Sequence, residues 1–312
     1  MRIFFAGATG VIARHAVPEL VRGGHEVYGS SRSWLGEAKL RRLGAHPVTL
    51  DATDADAVRG ALRGVRPDVV VNMLTDLKSP PGFRDLDGTM VGTNHLRTVV
   101  TDSLLTAAVD LGVRRYIAQS FAGWFSEPGA VVAQGEPANL LVDPPRAATR
   151  TVGALRHLES AVIAAPGGVV LRFGVLYGER TSLGTYGRTL EDVKRRRIPV
   201  VGGGQGVWSF CHVEDAAHAV ALAVDSEPAG LFEIVDHEPA PVHQWLPELA
   251  RAVGAKAPRH VPAWLARPFI GDFGIHLMTT AQGASNDLAA RELGFKPRHE
   301  TWSEGFHTGL GG

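Results

Sequence analysis

The sequence contains a single cysteine, Cys211, in 312 residues, so no disulfide can close within the chain and a reducing compartment is its natural setting. Neither sign of charge is in excess. Lys plus Arg and Asp plus Glu stand at 32 each, which leaves no long-range field to recruit nucleic acid or an anionic membrane. The densest basic run, Arg195-Arg196-Arg197, reads as a solvated helix end. Long hydrophobic runs are also missing: the stretch 168–175 is far below spanning length and contains an arginine. The opening Met1-Arg2-Ile3-Phe4-Phe5-Ala6-Gly7 is broken by glycine too early to act as a signal peptide. The 13 histidines fall into no metal-ligand spacing, and neither Cys-x-x-Cys nor His-Glu-x-x-His occurs. These absences set the expectation of a cytoplasmic protein with a small-molecule substrate and without metal, nucleic acid or membrane; a homodimer is left open.

What is present is a regular alternation. Short apolar runs predict strands over 3–6, 26–29, 46–50, 69–73, 116–118 and 169–173, nearly continuous in apolar residues as strands buried on both faces require. Helical patterns lie between them, for instance over 11–22, 55–62 and 96–111. Repeats of this kind predict an α/β fold, a doubly wound parallel (Rossmann) sheet. Breakers are denser in the second half (Gly202-Gly203-Gly204, Pro239, Pro241, Pro258, Pro262, Pro268), as a smaller C-terminal substrate-binding lobe would have. The expected division is a dinucleotide-binding domain over 1–168 and a mainly substrate-binding lobe over 169–312, with 208–235 returning to the Rossmann body.

The first strand runs directly into Gly7-Ala8-Thr9-Gly10-Val11-Ile12-Ala13, and a helical pattern follows at once. Glycines there let the backbone turn tightly and approach a pyrophosphate, whose charge rests on the amides of the helix N-terminus. Gly7, Thr9, Gly10, Val11 and Ile12 are therefore candidate cofactor contacts. The residue that selects the cofactor belongs at the end of the second strand, where the sequence reads Tyr28-Gly29-Ser30-Ser31-Arg32-Ser33. No carboxylate stands there to hold a ribose 2′-hydroxyl, whereas Arg32, preceded by Ser31, suits a 2′-phosphate. NADP(H) is favoured over NAD(H), a plain surface arginine being the alternative reading.

From this point the residues resemble the extended short-chain dehydrogenases/reductases, the group of the NAD-dependent epimerase/dehydratases. Gly7-x-x-Gly10-x-x-Ala13 is similar to their glycine loop, and Leu50-Asp51-Ala52 resembles the segment whose aspartate binds adenine. The run 69–75, with Met73 and Leu74, resembles the fourth strand and the turn over the adenosine ribose. Residues 171–178, with Phe173, resemble the segment under the nicotinamide, while 209–217 resembles the His-Val-x-Asp motif and 292–297 the usual ending. The resemblance spans the chain in order and implies the fold, a nicotinamide dinucleotide and those contact residues.

The family's chemistry rests on a Tyr-x-x-x-Lys pair on one helix face, the lysine lowering the tyrosine's pKa and the tyrosine exchanging a proton with the substrate oxygen. That helix is expected over 143–165, with Asp143-Pro144-Pro145 as its start. Glu159 resembles the glutamate four residues past the lysine, so the lysine's place falls on Leu155 and the tyrosine's on Thr151. None of the 4 tyrosines is followed four residues later by lysine. The catalytic serine's place falls on Phe121, with Ser120 just before it. Candidate proton donors are therefore Ser120, Tyr177, Thr151 or water, the aliphatic hydroxyls being poor acids and a hydroxyl satisfied at a strand end being the other reading of Ser120; Gln119 is a candidate for orienting a carbonyl. Nucleotide-sugar enzymes of the family carry an arginine where this chain has Trp208. Together with Trp124, that indole points to an apolar or aromatic ligand, core packing being the other reading. The leading expectation is an NADP(H)-dependent oxidoreductase acting on a carbonyl/hydroxyl centre of a small non-nucleotide metabolite. An isomerase, lyase or cyclase with unconsumed cofactor, and a dinucleotide-sensing binding protein, are the rivals.

Overall fold

A computed structural model describes residues 1–77, 80–127 and 137–311. The apolar runs form β1 (Arg2–Ala6), β2 (Glu26–Ser31), β3 (His46–Thr49), β4 (Val69–Asn72), β5 (Arg115–Phe121) and β6 (Gly168–Phe173), and a further strand, Gly230–Ile234, completes the sheet. Across the sheet the order is Gly230–Ile234, β6, β5, β4, β1, β2, β3, with every neighbouring pair parallel. The chain thus starts in the middle, winds outward to β3, then crosses to β4 and winds to the opposite edge. Such a reversal opens a crevice at the C-terminal ends of β1 and β4, where open α/β sheets take ligands.

The helices of the first half are α1 (Ala13–Arg22), α2 (Trp34–Arg42), α3 (Ala55–Val65), α4 (Leu86–Thr89), α5 (Val91–His95), α6 (Thr101–Asp110) and α7 (Thr149–Ala164). Alternate strand residues feed two cores, as the pleat dictates. Ile3, Phe5, Val69, Val71 and Ile117 pack with α1 and the helix Val213–Asp225 on one face. Phe4, Val70, Tyr116, Ala118 and Val170 pack with α3, α6 and α7 on the other. A third cluster, rich in aromatics (Trp124, Trp208, Phe210, Trp245, Phe273, Phe306), forms the core of the second half. Its last turn is tied down through Asp215, which accepts from the Arg298 and His299 amides at 2.8 and 3.1 Å. Among the described residues no helix is long and apolar enough to cross a membrane.

Two helices differ from the sequence reading. The one expected over 96–111 begins earlier, as α5, and passes through a π-helical turn, Leu96–Val100, before α6. The hydroxyls of Thr98 and Thr101 donate to the carbonyls of Asn94 and Leu96 at 2.9 and 3.0 Å, and such side-chain bonds compete with the regular ladder. The other does not start at Asp143-Pro144-Pro145. A 3₁₀ turn, Arg146–Ala148, precedes α7, and Asp87 of α4 supplies the cap from a distant part of the chain. Its carboxylate accepts from the Arg150 amide at 2.9 Å, and from the Thr151 amide and hydroxyl at 2.8 and 2.7 Å. Replacing Asp87 by alanine should cost about 2 kcal/mol of stability in urea unfolding, the upper range for a lost cap, while Asp87→Asn should recover part of it.

Candidate active site

The crevice is shaped first by backbone. Gly7 sits at φ +82°, and a Cβ there would lie 2.7 Å from the Met73 carbonyl oxygen, so a side chain is excluded by both conformation and space. The Gly10 amide donates back to the Gly7 carbonyl at 2.9 Å, closing the turn that opens the helix. Over this turn lies a cavity of about 260 Å³, lined by Gly7, Thr9, Gly10, Ser31, Arg32, Asp51, Ala52, Met73 and Leu74 among the residues expected to hold cofactor. Thr53, Thr75, Asp76, His95 and Leu96 are among the other residues of the walls. The Thr53 amide and hydroxyl, and more weakly Arg32, hold the Asp51 carboxyl below its ordinary range. A side-chain-free turn, a nearby cation and a carboxylate at the far wall fit the adenosine and phosphate portion of a dinucleotide. Val11, Ile12 and Phe173 do not line this cavity; Ile12 and Phe173 are buried in the core beneath, with Val11 packed against it.

The three candidate hydroxyls occupy three separate surroundings. Ser120 donates to Glu159 Oε1 at 2.6 Å, and Arg172 grips the same carboxylate through Nε at 2.7 Å and Nη2 at 2.6 Å. Register explains the meeting: Ser120, Arg172 and Glu233 stand side by side on β5, β6 and Gly230–Ile234. Glu233 lies 3.6 Å from Arg172 Nη1, and burial, only partly offset by that arginine, pushes its carboxyl up to about 7. Thr151 is fully buried, donating to Asp87 and accepting from Asn94 Nδ2 at 3.0 Å, with Leu155 equally buried one turn on. Tyr177 is buried among His212, His299 and Phe306; burial raises its phenol well above the ordinary range, and the hydroxyl has no partner among the described residues.

Aromatic rings stand where the serine was expected. Phe121, half-buried at the end of β5, packs against Trp124 with ring centroids 4.7 Å apart, and Trp124 is 4.7 Å from Trp208. Trp208 is buried and donates its indole N–H to the Leu277 carbonyl at 2.9 Å, whereas the Trp124 N–H has no partner among the described residues. Gln119 is half-buried on β5. Sequence reading had not singled out Asp87 or Asn94, because their partner Thr151 lies 64 and 57 residues away in the chain.

The sequence pattern of the NAD-dependent epimerase/dehydratase family matches residues 3–234. The chain belongs to that family. It is 41% identical over 98% of its length, and 99% of the relative's, to a 3-diazoavenalumate denitrifying reductase from a Streptomyces species. A 4-hydroxy-2-methyl-3-oxo-4-farnesyl-3,4-dihydroquinoline-1-oxide ketoreductase from Stigmatella aurantiaca is 24% identical, over 96% of this chain and 92% of the relative. Among solved structures, the UDP-glucose 4-epimerase of Thermus thermophilus in complex with NAD superposes with a TM-score of 0.68 at 25% identity, covering 99% and 98% of the two chains. The protein is accordingly an oxidoreductase-type enzyme of this NAD(P)-binding family.

The epimerase/dehydratase loop makes a direct prediction. A Cβ on Gly10 would meet only the Gly7 carbonyl oxygen, at 3.1 Å, so a larger side chain extends into the cavity rather than into the core. Gly10→Val should leave circular dichroism nearly unchanged and abolish calorimetric binding of dinucleotide. Normal binding by this variant would make the turn purely structural.

Proposed function

We propose that the enzyme replaces the diazo group of an aromatic substrate by hydrogen, using NADPH in preference to NADH. The observation that carries this reading is the buried Thr151–Leu155 face in place of a tyrosine–lysine pair. A carbonyl reduction needs a proton for the developing alkoxide, and the family's tyrosine delivers it. Loss of a diazonium group needs none. The bound reduced dinucleotide supplies a hydride, whose electron pair becomes the new C–H bond while the C–N pair departs in dinitrogen. Atoms and charge balance as arenediazonium plus reduced dinucleotide giving arene, dinitrogen and oxidised dinucleotide. The denitrifying reductase relative supports this choice of electrophile.

The residues then have modest tasks. Phe121, half-buried at the end of β5, offers a ring face to a flat aromatic substrate, with the buried Trp124 packed behind it. Ser120, held by Glu159, and Thr151, held by Asp87, keep β5 and α7 in place rather than passing protons. Arg32 supplies the charge for a 2′-phosphate.

The decisive assay uses NADPH deuterated at both C4 positions of the nicotinamide with an ortho-hydroxyarenediazonium. Deuterium on the ring carbon and one dinitrogen per cofactor oxidised are expected. Label in a carbinol of a ketone substrate, with the diazo compound untouched, would favour carbonyl reduction, as the ketoreductase relative's name describes. Product without label or cofactor consumption would favour an isomerase, lyase or cyclase. Thr151→Val and Ser120→Ala should change turnover by no more than about threefold, well short of the loss that follows removal of a general acid. Arg32→Ala should weaken NADPH by about 10- to 100-fold, the effect of one charge-assisted phosphate contact, and barely alter NADH. Equal affinities for the two cofactors in the unmodified enzyme would sink the NADP assignment.

A further inference from the structure

Arg97 stands on the π-helical turn Leu96–Val100 between α5 and α6. Its helical neighbours locate it. Thr93 accepts from the Asp76 amide, in the loop after β4, at 3.1 Å, and Thr101 accepts from Asn72 at the end of β4 at 3.3 Å. Asn94 reaches across to Thr151 on α7 at 3.0 Å. Arg97, one turn from Thr93 and from Thr101, is therefore held between the C-terminal edge of the sheet and α7. The two residues before it, His95 and Leu96, line the dinucleotide cavity.

The side chain is only 8% exposed, and its Nη1 has no hydrogen-bond partner among the described residues. Glu159 acts on its charge from a distance, without forming an ion pair among the described residues, and burial lowers the guanidinium to about 10, so it stays charged at neutral pH. A buried cation with an unmade hydrogen bond is unfavourable unless an acceptor arrives with a ligand. Arg32 and Asp51, on the β2–β3 side, mark the adenosine end of the cavity. A dinucleotide laid across the switch point must then run its other half over β4 and β5. Arg97 is not among the residues lining the cavity but stands on that side, between the sheet edge and α7, a cation where Leu155 provides none.

We infer that Arg97 is a cofactor ligand, donating from the π turn to the hydroxyls of the nicotinamide-side ribose. π turns inside α-helices occur often at functional sites, and here the turn carries the guanidinium on the face between sheet and α7. The inference rests on dinucleotide binding alone and is independent of the diazo substrate.

The test compares two ligands by calorimetry: NADPH, and 2′,5′-ADP, which lacks the nicotinamide half. Arg97→Met should weaken NADPH by about 10- to 100-fold while 2′,5′-ADP stays within about twofold, the loss expected for one charged donor. Arg97→Lys should fall between Arg97→Met and the unmodified enzyme. Without cofactor, Arg97→Met should unfold at a temperature no lower than the unmodified protein, since it removes a charge with no hydrogen-bonded partner among the described residues. Equal weakening of both ligands, unchanged NADPH binding, or a lowered Tm with an unchanged affinity ratio would overturn the assignment, the last making Arg97 a structural counter-charge to Glu159. Should NADH bind more tightly than NADPH, the same ratio is read with NADH and ADP, so failure of the 2′-phosphate reading stays distinct from failure here.

Discussion

Arg172 and Glu159 meet through two hydrogen bonds in a buried layer between α7 and the sheet. Removing one member of such a pair costs about 3–5 kcal/mol, because the other charge is left in a medium that cannot solvate it. Much of the site follows from this contact. It clamps α7 to β6, Ser120 adds β5 through the same carboxylate, and Glu233 brings in the last strand. Two carboxyls share one guanidinium, and burial raises Glu233 to about 7, which relieves the excess negative charge.

With α7 held at Glu159 and capped at its start by Asp87, the buried face carrying Thr151 and Leu155 has one fixed orientation. Asn94 then ties the neighbouring helix to that face, and the π turn begins two residues later. The tyrosine–lysine pair is absent from this face, which is nonetheless tightly packed. A hydroxyl that donates to an aspartate and a leucine without exposure keep the packing while leaving no acid to offer.

The centre of the sheet was legible because strands such as β4 and β6 are buried on both faces and so read as apolar runs, and the glycine turn was legible because only glycine tolerates Gly7's conformation against Met73. The missing tyrosine–lysine pair could be counted directly. The cap of α7 could not: a carboxylate 64 residues from Thr151 replaces the local Asp143, and only tertiary structure brings them together. The π turn was hidden for a related reason, since its threonines fit a regular helical pattern equally well until their hydroxyls choose carbonyls. Trp208 could have been lining or core from sequence alone; its indole bond to Leu277 gives it a fixed place in the aromatic cluster. Nothing in the sequence singles out Arg97, and its burial depends on which way a helix with one irregular turn faces.

The ring wall at the end of β5 has a further consequence for reaction outcome. Phe121 and Trp124 leave little polar surface on which ordered water could be held. Under the proposed reaction, an electrophile bound against them would face two competing nucleophiles, hydride from the cofactor and oxygen from solvent. Thinning the local water would lower the second rate without touching the first, so in that reaction the partition between reduction and hydrolysis would be decided by wetting rather than by any acid or base. Selectivity of that kind belongs to the solvent boundary of the pocket, and a single polar side chain at position 121 would be enough to shift it.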